Sequence, residues 1–271
     1  MTDQYAVIGN PIQQSKSPLI HTAFAKATNQ DLEYTKIEGH SFAADVDAFR
    51  ARGGRGMNIT APFKIDAFAY ATERSERAQL AGAANALKFD GERVLAENFD
   101  GIGLVRDVTH NLRCAIKGKR VLVLGAGGAT RGALLPFLAE QPAELVIANR
   151  SLGKAQELVA IGMSKGKLRG CTYSDLEGQT FDVVFNATSA SLKAELPPVP
   201  ASVFTGCTLA YELAYGKGLT PFLRLAQNAD VKQLADGVGM LAEQAAEAFE
   251  WWRGVRPDTR AVIEQLTVPL V

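Results

Sequence analysis

The chain has 271 residues, of which 47% are hydrophobic and 21% charged, and its 29 basic and 29 acidic side chains give a formal net charge of zero. That is an ordinary globular composition with room for two domains, and it excludes a charge-driven nucleic-acid or membrane surface. No apolar run approaches the ~20 residues of a membrane span, no basic-then-apolar leader opens the sequence, three scattered cysteines point away from a disulfide framework or a zinc site, and three histidines exclude a metal site built on a histidine cluster.

Cys114, Cys171 and Cys207 read as reduced structural thiols, so the expected compartment is the cytoplasm. In chain order, Tyr5 to Ile8 is a short strand ended by Gly9-Asn10-Pro11. Ser15-Lys16-Ser17-Pro18 follows, with Ser17 at an expected N-cap and Pro18 in the first turn of a helix whose apolar face is Leu19, Ala23, Phe24 and Ala27. Leu32 to Ile37 reads as a strand, and Phe42, Val46 and Phe49 fall at helical spacing. Gly53-Gly54-Arg55-Gly56 breaks the chain before a strand at Met57 to Thr60, after which Pro62 fits another helix start. Ser75 to Leu80 is a short helix, and Ala86 to Ala96 a hairpin turning at Asp90-Gly91. A helix through Ile102, Leu104, Val105 and Val108 leaves this first domain.

Lys119 to Arg150 is the most specific stretch. The apolar run Val121 to Leu124, the turn Gly125-Ala126-Gly127-Gly128-Ala129-Thr130-Arg131-Gly132, an apolar helix and a second run Leu145 to Ala148 make a dinucleotide-binding unit. Gly125 permits the sharp exit from the strand, and Gly127 and Gly128 let backbone approach a pyrophosphate at a helix N-terminus. Threonine stands at residue 130, where the third glycine of the simplest fingerprint would fall, and Gly132 can make the close helix–strand contact instead. The second strand ends in Asn149-Arg150-Ser151, with Lys154 one turn on, rather than in a carboxylate. A carboxylate would repel a 2′-phosphate, whereas Arg150 can grip one through paired hydrogen bonds and Lys154 adds charge, so NADP is expected over NAD. Strands near Gly170 to Tyr173, Val183 to Asn186, Thr208 to Tyr211 and Val231 to Leu234 complete that half, around a proline-rich loop at Glu195 to Pro200 and a helix at Leu219 to Ala226. An apolar helix from Met240 to Trp252 and an amphipathic one through Val262, Ile263 and Leu266 close the chain.

Reduction of a carbonyl builds negative charge on oxygen, which needs a stabiliser and a proton donor. Lys64, at a strand–proline turn, and Asp100, after the hairpin, are the candidates. Taken singly, the lysine could equally be a solvated charge and the aspartate a turn or cap residue.

Together these segments resemble shikimate dehydrogenases, end to end. The marks are Gly9-Asn10-Pro11, Ser15-Lys16-Ser17-Pro18, Asn58-Ile59-Thr60-Ala61-Pro62-Phe63-Lys64, Asn98-Phe99-Asp100-Gly101, the glycine turn, Asn149-Arg150-Ser151, Asn186-Ala187-Thr188-Ser189 and Asp236-Gly237-Val238-Gly239-Met240. The resemblance implies an α/β protein of two domains. A mixed-sheet substrate domain would take residues 1–101 and 238–271, and a Rossmann-type NADP-binding domain residues 102–237. It implies NADPH-dependent, reversible reduction of 3-dehydroshikimate to shikimate, in the route to chorismate and aromatic amino acids. Lys64 and Asp100 would be the catalytic pair, joined in holding substrate by Ser15, Ser17, Asn58, Thr60, Asn85, Tyr215 and Gln244. Cofactor contacts would come from Gly125, Ala126, Gly127, Gly128, Ala129, Asn149, Arg150, Ser151, Lys154, Ala187, Thr188, Ser189, Leu213 and Gly237. The expected partners are small molecules only, without nucleic acid or membrane, in a monomer or homodimer.

Some positions depart from the family pattern. Phe99 and Ala86 each replace a threonine, Ala61 a valine, Ser191 a common glycine and Glu212 a common aspartate. Phe99 could shift Asp100 or narrow the pocket. Two alternatives therefore stand beside the main reading: a quinate/shikimate dehydrogenase with relaxed cofactor use, and a catalytically weakened metabolite sensor.

Overall fold

The computed structural model describes residues 2–271. The chain forms two compact units, one of Met1–Gly103 with Ala242–Val262, the other of Leu104–Leu241 with Ile263–Val271. The elements run β1 (Asp3–Gly9), α1 (Ser17–Ala27), β2 (Leu32–Glu38), α2 (Phe42–Ala51), β3 (Gly54–Ile59), α3 (Lys64–Tyr70), β4 (Glu73–Arg74), α4 (Glu76–Ala81), β5 (Ala86–Asp90), β6 (Arg93–Glu97) and α5 (Asp100–Arg106). They continue with β7 (Arg120–Leu124), α6 (Gly128–Ala139), β8 (Glu144–Ala148), α7 (Leu152–Gly162), β9 (Leu168–Cys171), β10 (Val183–Asn186), β11 (Leu209–Glu212), α8 (Pro221–Asn228), β12 (Gln233–Asp236), α9 (Val238–Arg253) and α10 (Arg260–Leu266).

The sheet of the first unit has the order β2-β1-β3-β5-β6-β4. β1 pairs in parallel with β2 and β3, whereas β3/β5 and β5/β6 are antiparallel, so the sheet is mixed. Three expectations need correction here. The strand begins at Gly54, not Met57, because a side chain at Gly54 would sit 2.3 Å from the Phe49 ring; the glycine is what lets β3 pass under α2. Ser17 is not the N-cap of α1; that position is Lys16, without a side-chain cap, and the Ser17 hydroxyl instead accepts from Ser15 Oγ at 3.3 Å. Pro62 does not open α3 but lies in the turn before it, and the helix starts at Lys64.

His21 lies in the core of this unit, stacked on Tyr34 at 4.3 Å and 5.4 Å from Trp252. Burial pushes its imidazole down to about 3, against a smaller opposing pull from the Asn58 side chain. A histidine that stays neutral when folded but protonates when unfolded makes folding weaker as pH falls. The loss begins below the ordinary value of 6.5 and grows until the folded group itself protonates near 3. By pH 5 it amounts to about 2 kcal/mol. Urea unfolding of His21→Phe should show a flatter pH dependence between pH 7 and 5 than the parent chain. Parallel curves would sink this account.

The sheet of the second unit has the order β12-β11-β10-β7-β8-β9 with every pairing parallel. In chain order that is 3-2-1-4-5-6, the doubly wound dinucleotide-binding arrangement. β8, β10 and β11 are apart from Glu144 buried throughout, which is why they read as continuous apolar runs instead of alternating ones. Residues 238–241 and 263–271 cluster with the second unit, where Leu270 packs on the core that holds Val184, Phe204 and Phe222.

Candidate active site

In the first unit β3, α3, β5, β6, α5 and α9 bring a polar cluster together. Lys64, the first residue of α3, places Nζ 2.6 Å from Asp100 Oδ2. Its backbone carbonyl accepts from Ala84 N at 2.8 Å, which ties the start of α3 to the approach to β5. Asp100 opens α5, and its amide donates to Asn98 Oδ1 at 3.2 Å. The second carboxylate oxygen of Asp100 accepts from Asn85 Nδ2 at 2.8 Å. The same amide group reaches Gln244 Oε1 on α9 at 3.2 Å, while Asn85 Oδ1 accepts from Phe99 N at 2.9 Å. Asn85 is thus fixed at both ends and holds Asp100 and Gln244 side by side. The pair is not sealed off: the Lys64 and Asp100 side chains retain 35% and 19% of their exposure, enough to meet a small ligand.

Asn58 is buried on β3, with Nδ2 3.4 Å from Asn85 O. Its Oδ1 accepts from the Tyr34 hydroxyl at 2.6 Å. Tyr34 thus braces Asn58, a contact that sequence reasoning missed, since an aromatic in a predicted strand reads as core. Burial pushes its phenol well above the ordinary range, against hydrogen bonding to Ser17 and Asn58, so it stays a neutral donor. Thr60 packs its methyl against Gly9, where an added side chain would come within 2.4 Å. Ser15 and Ser17 share a hydroxyl–hydroxyl bond at 3.3 Å. Tyr215 belongs to the second unit, 42% exposed, in a turn whose Gly216 amide donates to Asp236 Oδ2 at 3.0 Å.

The departures at Phe99 and Ala86 fall in one place. Both side chains are buried in one apolar cluster with Tyr5, Val7, Tyr34 and Trp252, and the Phe99 ring meets Trp251 edge-on at 5.7 Å. Phe99 points into the core, and the small Ala86 lies in the same packing group. Phe99 lies in the link between β6 and α5, 3% exposed, with its ring in the core cluster, while the Asp100 carboxylate faces Lys64 and Asn85. Ala61 is exposed.

In the second unit a cleft of about 610 Å³ opens beyond β7, β8 and β10. Of the expected cofactor residues, Gly125, Ala126, Gly127, Asn149, Arg150, Ser151, Lys154, Ala187, Thr188 and Ser189 line it. Gly128 and Ala129 begin α6 outside that lining, and Leu213 and Gly237 meet each other instead: a side chain at Gly237 would lie 2.2 Å from Leu213 O. Gly125 has φ +99°, and an added Cβ would press on Thr188 and Ala187 at 3.1–3.3 Å. At Gly127 and Gly128 an added Cβ would meet nothing within 4 Å. The helix N-terminus has no side-chain cap, so its first N–H groups face open space suited to a phosphate. Thr130, in place of the third glycine, is buried and donates to Gly125 O at 2.7 Å, bracing the turn. Asn149 Oδ1 accepts from Ala126 N at 3.2 Å and locks the turn to the end of β8.

Arg150 and Lys154 are exposed and stand in no ion pair among the described residues. Two cations beside a glycine turn, with no acidic residue at the strand end, fit a nucleotide bearing a 2′-phosphate. Tyr173 and Lys193 also line the cleft and were not anticipated, because each follows a strand end by a distance set only by the fold.

The fold order, the glycine cradle and the Lys64–Asp100 cluster define a dinucleotide-binding α/β protein of the oxidoreductase class. Comparison with known proteins narrows this. The family model for the shikimate dehydrogenase substrate binding domain matches residues 7–87, that for shikimate / quinate 5-dehydrogenase residues 107–194, and that for the shikimate 5'-dehydrogenase C-terminal domain residues 237–267. A protein of Nitrosospira multiformis named shikimate dehydrogenase (NADP(+)) is 52% identical over 268 residues, covering 98% of each chain. One of the same name from Chromobacterium violaceum is 53% identical at the same coverage. Among solved structures, an Ael1 enzyme from Pseudomonas putida superposes with a TM-score of 0.96 at 64% identity, covering 100% of both chains. This chain belongs to the shikimate dehydrogenase family.

Proposed function

We propose that this chain is an NADP-dependent shikimate dehydrogenase, catalysing the reversible reduction of 3-dehydroshikimate to shikimate with NADPH. The observation that carries the reading is the Lys64–Asp100 pair at 2.6 Å, braced by Asn85 and Gln244. Bound NADPH supplies the reducing equivalent to the substrate's C3 carbonyl. Lys64 donates a proton, or a hydrogen bond, to the oxygen on which charge develops. Asp100 keeps Lys64 Nζ in place and accepts from a neighbouring substrate hydroxyl. Asn58, Thr60, Asn85 and Gln244 satisfy the remaining hydroxyls, and Ser15 and Ser17 offer donors to the carboxylate.

Arg150 and Lys154 hold the 2′-phosphate, with Asn149 and Ser151 beside them. Arg150→Ala should lower the ratio of NADPH to NADH efficiency by roughly tenfold or more. An unchanged ratio in steady-state assays would remove Arg150 from this role. The enzyme works in the cytoplasm on small molecules, as a monomer or homodimer; its three cysteines are buried free thiols, in keeping with a reducing compartment. Shikimate-dependent reduction of NADP, followed by absorbance, tests the activity. Comparable activity with quinate as well as shikimate would replace this reading with the broader-specificity one. The burial of Phe99 and Ala86 in one core cluster supports this reading over the metabolite-sensor alternative.

A further inference from the structure

Glu212 carries a carboxylate that none of the chemistry above uses. It ends β11 with 0% exposure, beside Asn186 at the end of β10, its partner in the parallel register. Three donors converge on its Oε2: Asn186 Nδ2 at 2.9 Å, Thr220 Oγ1 at 3.2 Å and the Ser191 hydroxyl. Ala214 N donates to Oε1 at 3.3 Å. Asn186, Ser191 and Thr220 are 0–5% exposed, so each would lose its partner to no solvent if the carboxylate were removed. Asn186 passes the arrangement on. Its Oδ1 accepts from Thr188 Oγ1 at 2.7 Å and from Thr188 N at 3.1 Å, and Thr188 Oγ1 accepts from Ala190 N at 3.3 Å. Ala187 to Ala190 line the cofactor cleft, and Thr188 sits where it would block any side chain at Gly125. Thr220 is in turn the N-cap of α8, accepting from Leu223 N at 3.3 Å.

We propose that Glu212 is a positioning residue for NADPH: through Asn186 and Ser191 it sets the Ala187–Ala190 turn against the glycine cradle. Ser191 and Glu212, read from sequence as two separate departures, are one bonded pair. The inference rests on the reading of the cleft as the NADP site. Glutamine at 212 cannot serve the same arrangement. One end of its amide is a donor, and donors already face both ends.

The test is NADPH binding to the full chain by fluorescence titration, with steady-state kinetics alongside. Glu212→Gln should raise the NADPH Kd about tenfold or more, with KM for NADPH following, while kcat at saturating NADPH and KM for shikimate stay within about threefold. Ser191→Ala should raise the Kd by roughly threefold, and in the double variant less than the product of the two effects should appear, since both act through one bond. Thr220→Ser, which keeps the hydroxyl, should bind as the parent does. A folded Glu212→Gln protein binding NADPH within about twofold of the parent overturns the proposal, as does an equal loss in NADPH affinity, shikimate KM and kcat. If Glu212→Gln does not fold, Ser191→Ala decides by the same criteria. Failure of the parent chain to bind NADPH would reject the cleft assignment itself and this proposal with it, a result distinct from a parent that binds and variants that bind equally well.

Discussion

Replacing Lys64 by methionine lowers kcat for shikimate oxidation by about 10²–10⁴, the range of a general acid–base contribution, with KM for shikimate changing less than about tenfold. Methionine keeps the apolar stem and most of its length, so what is lost is the ammonium alone. The ammonium sits 2.6 Å from Asp100 Oδ2, and Asp100 stays anchored without it, since Asn85 Nδ2 holds its other oxygen at 2.8 Å. The Lys64–Asp100 site therefore keeps its shape while losing the group proposed to exchange a proton with the substrate oxygen, which accepts it in oxidation and donates it in reduction. That is the condition under which kcat and kcat/KM fall together: an interaction made chiefly in the transition state has been removed. Steady-state kinetics with circular dichroism on the same preparation checks it. A variant with parental kcat would take the proton transfer away from Lys64, and a variant losing only substrate affinity would make Lys64 a binding group.

How much of this is legible in the sequence depends on whether the residues act locally. The turn from Gly125 to Gly128, flanked by two apolar runs, specifies strand, cradle and helix within one stretch, and the doubly wound order follows from it. The absence of a carboxylate after β8 is likewise a local signal. Lys64 and Asp100 were legible only as members of ordered motifs, because 36 residues separate them and nothing in either segment alone demands the other. Tyr34 escaped altogether: its phenol matters through a bond to Asn58, 24 residues away, and strand periodicity shows only that it faces inward. Ser17 was misplaced for a related reason. A serine before a proline is an N-cap by pattern, but the chain enters α1 one residue earlier and the hydroxyl pairs with Ser15 instead. Phe99 looked like an intrusion when read as a lost threonine. The structure places it in one buried cluster with Ala86, Tyr5 and Trp252.

Gly103→Ala, one methyl group, should cut kcat/KM for shikimate about 100-fold, the scale of effect that follows from misplacing a substrate-holding group by about 1 Å. Gly103 is buried in the middle of α5, where its hydrogen has no competitor for space but a Cβ would have several. That atom would lie 2.6 Å from Gln244 N, 2.8 Å from its Cβ and 2.9 Å from its Cα. These are backbone and near-backbone atoms of α9, so no rotamer change relieves the overlap, and normal carbon contacts need roughly 3.5–4.0 Å. α9 must yield by about the difference, at a typical overpacking cost of about 1–3 kcal/mol. α5 cannot easily yield in its place, because Asp100 at its start is held by both Lys64 and Asn85. The bond that gives is then the 3.2 Å contact between Asn85 Nδ2 and Gln244 Oε1. With it goes the alignment of Gln244 beside Asp100. NADPH affinity provides the control, since the cradle, Arg150 and Lys154 all belong to the other unit. The expected pattern is a large fall in kcat/KM for shikimate with NADPH Kd close to that of the parent. If kcat/KM is retained, α9 has room that these distances deny it, and Gln244 does not depend on Gly103 for its position.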